Sequence, residues 1–517
     1  MTTATVATRP DAHPVPAAYL ELTGAIREAG VLGSIGGILS WDQETMMPPQ
    51  GVEHRSVQLA LLARTAHEAA SSPRIGDLLS ACEADREFMA SCTIEAANVR
   101  EMRRDFERLV RLPAAHVAEF AALTAKSQHA WVAARGKSNY AEFEPWLRKI
   151  VNLSRERAQL LGVPQGGEAW DALADAYEPD CTAVAVDALF VPLRKRLAAF
   201  IAEIAEAKRR PSNRFNEHAL PIETQARFVR MVVETIGFDF TRGRLDTSAH
   251  PFCGGSHCDD VRLTTRYSAT CLNDALGSSM HEAGHGMYEQ GLPNTDIGLP
   301  SGTAISLAIH ESQSRLWENQ VGRSHSFWKW CAPKVAECFG SAGAGFGVDE
   351  LYGAANVVEP GFIRVDADEA TYNLHVMIRF ELERLLISGS LDTRDLPGEW
   401  NRRYKEYLGL VVPDDRRGCL QDVHWSMGAI GYFPTYTLGT IYSAQFFDAA
   451  RRALPEVETG FAKGEFAPLK AWLNREIHSH GRRYGSEELC RRVTGQKLSV
   501  DPYFAYLEGK LRPLYGI

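Results

Sequence analysis

Apolar residues recur at three- and four-residue intervals through most of this chain, and that spacing restricts it to helical architectures. A helix turns about every 3.6 residues, so such positions share one face, whereas a half-buried strand needs strict alternation. The pattern predicts helices over Ala18–Ala29, Glu53–Ala70, Ile94–Leu112, Ala118–Ala134, Val184–Lys208, Ile222–Ile236 and Tyr372–Ile387. Charged residues fill their other faces, as expected where the apolar stripe is core. Pro48-Pro49, Gly162–Gly167 and Pro211 punctuate the run. A different texture spans Leu245–Tyr267. There Ser248–Phe252 and the alternating, β-branched run Val261–Tyr267 read as short strands joined by a glycine-rich turn. Repeats and linkers are absent. The expectation is a mainly α protein: a flexible leader over residues 1–17, then one large helical domain over 18–517 with a small β-sheet.

Composition narrows the function classes. The chain has 517 residues, 45% hydrophobic and 23% charged, as in globular proteins with a sizeable core. Formal net charge is −9 and Lys and Arg are dispersed, so the concentrated basic face that nucleic acid requires is missing. No stretch approaches the ~20 apolar residues that span a bilayer. The N-terminus has no apolar signal-peptide core. Ten cysteines include no C-x-x-C pair and no disulfide framework, which fits reduced thiols in a cytoplasm. Cys253-Gly-Gly-Ser-His257-Cys258 reads as a turn with two unpaired thiols, since a second metal there lacks the paired spacing of zinc sites.

The chemistry concentrates in Gly277-Ser-Ser-Met-His281-Glu282-Ala-Gly-His285-Gly-Met-Tyr288-Glu289, which contains H-E-x-x-H. On a helix, His281 and His285 lie one turn apart on one face and can direct imidazole nitrogens at one zinc ion. Glu282 points away around the helix, toward a water held beside the ion, the position of a general base. Gly284 and Gly286 each cost a helix roughly 1 kcal/mol against alanine, so close packing or function must require them. A catalytic zinc needs a third protein ligand. Glu289 is too far along the axis. Glu311, within the apolar-spaced segment Ile305–Asn319, is the expected ligand, with Glu318 as the alternative. Arg315 and Glu318 are placed to orient the Glu311 carboxylate.

Several ordered segments together resemble the carboxypeptidase Taq family of zinc metallocarboxypeptidases. Asp260-Val-Arg262-Leu-Thr264 is similar to its D-x-R-x-T, His310-Glu311-Ser312-Gln313 to H-E-S-Q, and Ile363-Arg364-Val-Asp-Ala367-Asp368 to I-R-x-x-A-D. Gly418-Cys-Leu-Gln421-Asp422-Val-His424-Trp425 is similar to G-x-x-Q-D-x-H-W, and Leu39–Pro48 and Tyr177-Glu-Pro are also alike. The resemblance runs from about residue 20 to the C-terminus. It implies a helical fold with a small sheet beside a deep groove, and a homodimer. It also implies removal of single C-terminal residues from peptides with broad preference, using one zinc or, in some relatives, cobalt.

The expected reaction is Glu282-assisted attack of water at the metal on the scissile carbonyl. His424, Tyr432 and Tyr436, in the glycine- and aromatic-rich stretch Gly418–Gly439, are the candidate catalytic donors to the oxyanion. Gln421 and Asp422 read as a hydrogen-bond network. His250 is a further substrate-side donor. For the terminal carboxylate, a guanidinium fork is apt; Arg364 is the expected anchor, ahead of Arg262 and Arg416. An internally cutting zinc oligopeptidase shares this metal chemistry and differs in the carboxylate anchor. A scaffold protein with a dead site would lack a ligand or the base, and all are present.

Overall fold

In a computed structural model, which describes residues 15–91 and 93–517, all seven predicted helices form, and the first runs far past its predicted end. Of the expected leader, residues 1–14 lie outside the described residues, and Ala17 already opens helix α1, Ala17–Thr45. Its extension passes through Gly30, Gly33, Gly36 and Gly37, which propensity alone would make a stop. Tertiary contact overrides propensity: a Cβ on Gly30 would lie 2.8 Å from the Gly298 Cα, and one on Gly37 would lie 2.7 Å from the Gly255 carbonyl. These two glycines let the helix backbone rest directly on the body. Buried Trp41, near the end of α1, is covered by the guanidiniums of Arg262 and Arg244 at 4.4 and 4.8 Å.

The sheet has three strands, β1 (Gly243–Thr247), β2 (Cys253–His257) and β3 (Asp260–Thr265), in the order β1-β3-β2. β1 runs parallel to β3 and β2 antiparallel. The expected strand Ser248–Phe252 is instead the connection between β1 and β2, and the glycine-rich segment expected to be the turn is strand β2. The reason is a bulge: Gly255 sits at φ +139°, where a Cβ would lie 2.1 Å from the Asp260 carbonyl. The Thr264 hydroxyl accepts from the Phe252 N–H at 2.9 Å and from the Ser248 hydroxyl at 2.7 Å, pinning the connection to β3.

Behind the sheet lie α2 (Leu272–Gly291), α3 (Leu307–Arg315, continuing as a π-helical turn to Gly322), α4 (Tyr372–Ser388) and α5 (Pro434–Ala453). α3 is clamped between α2 and α5 at glycines. A Cβ on Gly284 of α2 would lie 2.6 Å from the Gln313 carbonyl and the Ser314 Cα. One on Gly439 of α5 would lie 2.6 Å from the Glu311 Cβ. Gly286 faces Phe238 and Leu263, joining α2 to β3. The N-terminus of α3 is capped three times: the Tyr177 carbonyl accepts from the Leu307 N–H, the Glu178 carboxylate from Ala308, and the Ser306 hydroxyl from Ile309. Most of the chain from Ala134 to Tyr515 shares one core, and a smaller cluster joins α1 to the helices around Leu78 and Val99. Among the described residues, no helix is long and apolar enough to cross a membrane.

Candidate metal centre

The crossing of α2 and α3 brings three donor groups together. His281 Nε2 is 3.5 Å from Glu311 Oε2, and His285 Nε2 is 3.4 Å from the same oxygen. One ligand atom from each of the three residues lies within 4.8 Å of the others. Two imidazoles and a carboxylate form a donor set that suits a borderline divalent ion such as zinc. The far side of each donor is held. His281 Nδ1 contacts Glu318 Oε2 at 2.9 Å. His285 Nδ1 meets His310 Nδ1, and His310 Nε2 contacts Glu289 Oε1 at 2.7 Å. The Glu311 carboxylate accepts from Arg315 Nε at 2.7 Å and from the Ser314 hydroxyl at 3.0 Å. Such contacts fix tautomer and ring orientation so that both Nε2 lone pairs face inward. Glu318, the alternative ligand from sequence, therefore abuts the back of His281 and not the convergence point. Its other oxygen accepts from Arg323 at 2.9 Å.

Electrostatics follow the geometry. Burial lowers His285 to about 3, which keeps its imidazole neutral. Burial alone would also lower His281, but Glu311 and Glu318 reverse this and raise it. Glu282, next on α2 and also buried, is pushed up to about 7 by burial, against the pull of His281.

Aromatic groups adjoin the cluster from α5. Tyr436 lies one turn before Gly439, the residue that touches Glu311. Its hydroxyl is 3.1 Å from His424 Nε2, and its ring centroid is 5.4 Å from that of Tyr432. Burial raises Tyr432 and, together with Tyr432, Tyr436; the Glu311 charge adds to both.

The family model for carboxypeptidase Taq (M32) metallopeptidases matches residues 21–511. The chain belongs to this family. It is 42% identical over 507 residues to thermostable carboxypeptidase 1 of Thermus thermophilus, covering 97% of this chain and 99% of that protein. It is 33% identical over 478 residues to carboxypeptidase 1 of Bacillus subtilis, covering 92% and 95%. The M32 carboxypeptidase from Deinococcus radiodurans has a TM-score of 0.93 at 40% identity, covering 97% and 100%. Trypanosoma cruzi metallocarboxypeptidase 1 has a TM-score of 0.91 at 36% identity, covering 96% and 99%. This M32 chain is thus a metallocarboxypeptidase, a peptide hydrolase that works with a divalent metal.

The M32 motifs occupy distinct places in this chain. Arg364 is buried and engaged: Nε and Nη2 both donate to Asp422 Oδ1, at 2.9 and 2.8 Å, and Nη1 donates to the Tyr372 hydroxyl at 2.9 Å. Its guanidinium also covers the Tyr436 ring at 4.8 Å. Asp422 Oδ2 accepts from Arg379 at 2.7 Å. Arg262 forms a forked pair with Asp260, and Arg416 is exposed. His250 is exposed in the β1–β2 connection, not in a strand. Gln421 accepts from the Arg364 N–H and donates to the Phe362 carbonyl, in the expected network. The second metal-like trio among the described residues is His257, Cys258 and Asp259, three successive residues at the β2–β3 turn; Cys253 is not in it.

Two groups escaped the sequence reading. The His310–Glu289 link had a signal, since His310 opens the H-E-S-Q element and Glu289 lies one helical turn beyond His285. Glu383 had none. Wholly buried on α4, its carboxylate accepts from Trp425 Nε1 at 2.9 Å, Trp170 Nε1 at 3.1 Å and the Gly431 N–H at 2.9 Å. Trp425 follows His424 and Gly431 precedes Tyr432, so one carboxylate latches both ends of the loop that bears them.

Proposed function

We propose that this M32 metallocarboxypeptidase releases single residues from the free C-termini of peptides, with broad preference, using one zinc ion held by His281, His285 and Glu311. The observation that carries the reading is the convergence of two Nε2 atoms on one Glu311 oxygen, with Glu282 next on the same helix. Cobalt suits the same donor set. The family resemblance further supports a homodimer acting on peptides in the cytoplasm.

When bound, the metal supplies Lewis-acid polarisation of the scissile carbonyl and lowers the pKa of water beside it. Glu282 takes a proton from the attacking water and passes it to the leaving amine. Its burial raises its basicity, because a carboxylate deprived of water holds a proton more tightly. Negative charge growing on the carbonyl oxygen meets donors from the aromatic side: the hydroxyls of Tyr432 and Tyr436, and His424 through Tyr436. His424 is lowered to about 3 by burial and by Arg364, so it acts as a neutral imidazole. Arg364 serves this arrangement by covering the Tyr436 ring. To grip a terminal carboxylate it must exchange Asp422 or Tyr372, and His250 must swing in from an exposed loop.

A peptide and its C-terminal amide, incubated with metal-loaded protein and followed by mass, test the reading. The proposal expects a one-residue ladder from the free acid alone. Internal fragments from both peptides would move the chain to oligopeptidase action.

A further inference from the structure

A cleft of about 180 Å³ opens behind the loop that carries His424 and Tyr432. Arg108, Ser154 and Arg157 line it from the helical body, and Met427 and Gly428 line it from the loop. Tyr177 also lines it and packs edge-on against Tyr432, with ring centroids 5.1 Å apart.

The polar groups of this cleft are short of a negative partner. The Arg157 guanidinium forms no ion pair and no hydrogen bond among the described residues, and sits over the Phe120 ring at 4.8 Å. Arg108 shares the single carboxylate of Asp175 with Arg104. Among the described residues the other nearby carboxylates point elsewhere: Asp105 pairs with Arg482, Asp180 is exposed, 3.5 Å from Arg104, and Glu156 is turned to His116 at 3.6 Å. Ser154 is 1% exposed, and its hydroxyl has no hydrogen-bond partner among the described residues. Burial lowers both Arg157 and Arg108 from their usual values, as expected for cations withdrawn from water without full compensation. A half-buried guanidinium without a counter-charge and an orphaned buried hydroxyl both gain from a hydrogen-bond acceptor between them. A planar guanidinium fork is matched best by an oxyanion.

We propose that this cleft binds one compact oxyanion, phosphate or a small carboxylate, on Arg157 with Arg108 and Ser154 assisting. The bound anion braces the His424–Tyr432 loop from behind. Glu383 holds that loop at Trp425 and Gly431, and the segment between these points, from Met427 to Ile430, lies against the cleft.

The test uses the full chain freed of metal, so that anions at the metal centre do not count. Inorganic phosphate and, separately, acetate are titrated by calorimetry, with ionic strength held by a bulky sulfonate salt. Hydrogen exchange is followed over residues 427–430. Expected are saturable one-to-one binding of at least one anion and slower exchange in that segment. Arg157→Met weakens binding by about tenfold or more and removes the protection, whereas His281→Ala leaves both intact. Ser154→Val, which removes the hydroxyl and fills space, gives the same loss should Arg157→Met fold poorly. Binding of phosphate alone or of acetate alone each supports the site and identifies its source. Unchanged affinity and protection in both Arg157→Met and Ser154→Val, or no saturable binding by either anion in the wild-type chain, overturns it.

Discussion

His281 turns its two ring nitrogens to two different carboxylates of one continuous helical run: Nε2 is 3.5 Å from Glu311 and Nδ1 is 2.9 Å from Glu318. The π-helical turn after Arg315 carries Glu318 behind the imidazole, while Glu311 stays in front of it. The two acids therefore differ in consequence. Glu311→Ala is expected to abolish stoichiometric metal. Glu318→Gln keeps metal but weakens it by roughly 10–100-fold, the usual loss when a ligand's orienting partner is removed. Metal content per chain and chelator competition separate the two; equal loss in both variants would mean that Glu318 is itself a ligand.

Gly439 is where α5 touches Glu311. Any side chain there must displace the Glu311 Cβ and Cγ, each 2.6 Å from the added carbon. Gly439→Ala is expected to cost about 1–3 kcal/mol of overpacking and to weaken metal binding in the same variant. Unfolding measured with and without metal should show both effects; unchanged metal affinity would show that Glu311 relaxes freely.

The Glu383 latch makes a specific prediction. A carboxylate accepts from all three of its N–H partners, but glutamine offers one oxygen and one NH2 group. In Glu383→Gln the oxygen serves Trp170 and Gly431, and the NH2 group opposes the Trp425 N–H. An unsatisfied buried group of this kind costs about 1–3 kcal/mol, and kcat falls as the loop loses its hold. Adding Trp425→Phe removes the conflicting donor and should recover part of the lost kcat. A double variant no better than Glu383→Gln would refute the latch.

Glu383 also predicts a pH dependence. Burial pushes it up to about 7 from an ordinary value of 4.5, against the pull of Trp170, Trp425 and Gly431. Between those two values the folded chain holds a proton that the unfolded chain releases. Stability from this group is therefore present at the acid end and lost as pH rises from about 4.5 to about 7. Denaturant unfolding of the metal-loaded protein at several pH values should show this slope in wild type and a shallower one in Glu383→Gln. Identical slopes would contradict the assignment.

Much of this was legible because helical spacing is a local property. His281 and His285 are placed by one turn of helix, and Gly284 and Gly286 announced close packing, which Gln313, Phe238 and Leu263 supply. The extent of α1 was hidden because two of its glycines, Gly30 and Gly37, pack on Gly298 and Gly255, which are remote in sequence. Strand β2 was hidden for the same reason: a bulge at Gly255 looks like a turn until Asp260 is seen beside it. Arg364 was recognisable as a motif residue, but its partners Asp422 and Tyr372 lie 58 and 8 positions away. Glu383 lies on a helix buried on nearly every face, where its place gives no hint of a partner, and only the fold brings it to Trp170, Trp425 and Gly431.

The central claim is that His281, His285 and Glu311 hold the metal and that Glu282 moves the proton. Glu282→Gln tests it most directly, with zinc content and peptide turnover measured on the same preparation. The account predicts one zinc per chain, as in wild type, and turnover reduced by about 10²–10⁴-fold. Near-normal turnover in the zinc-loaded variant would contradict it.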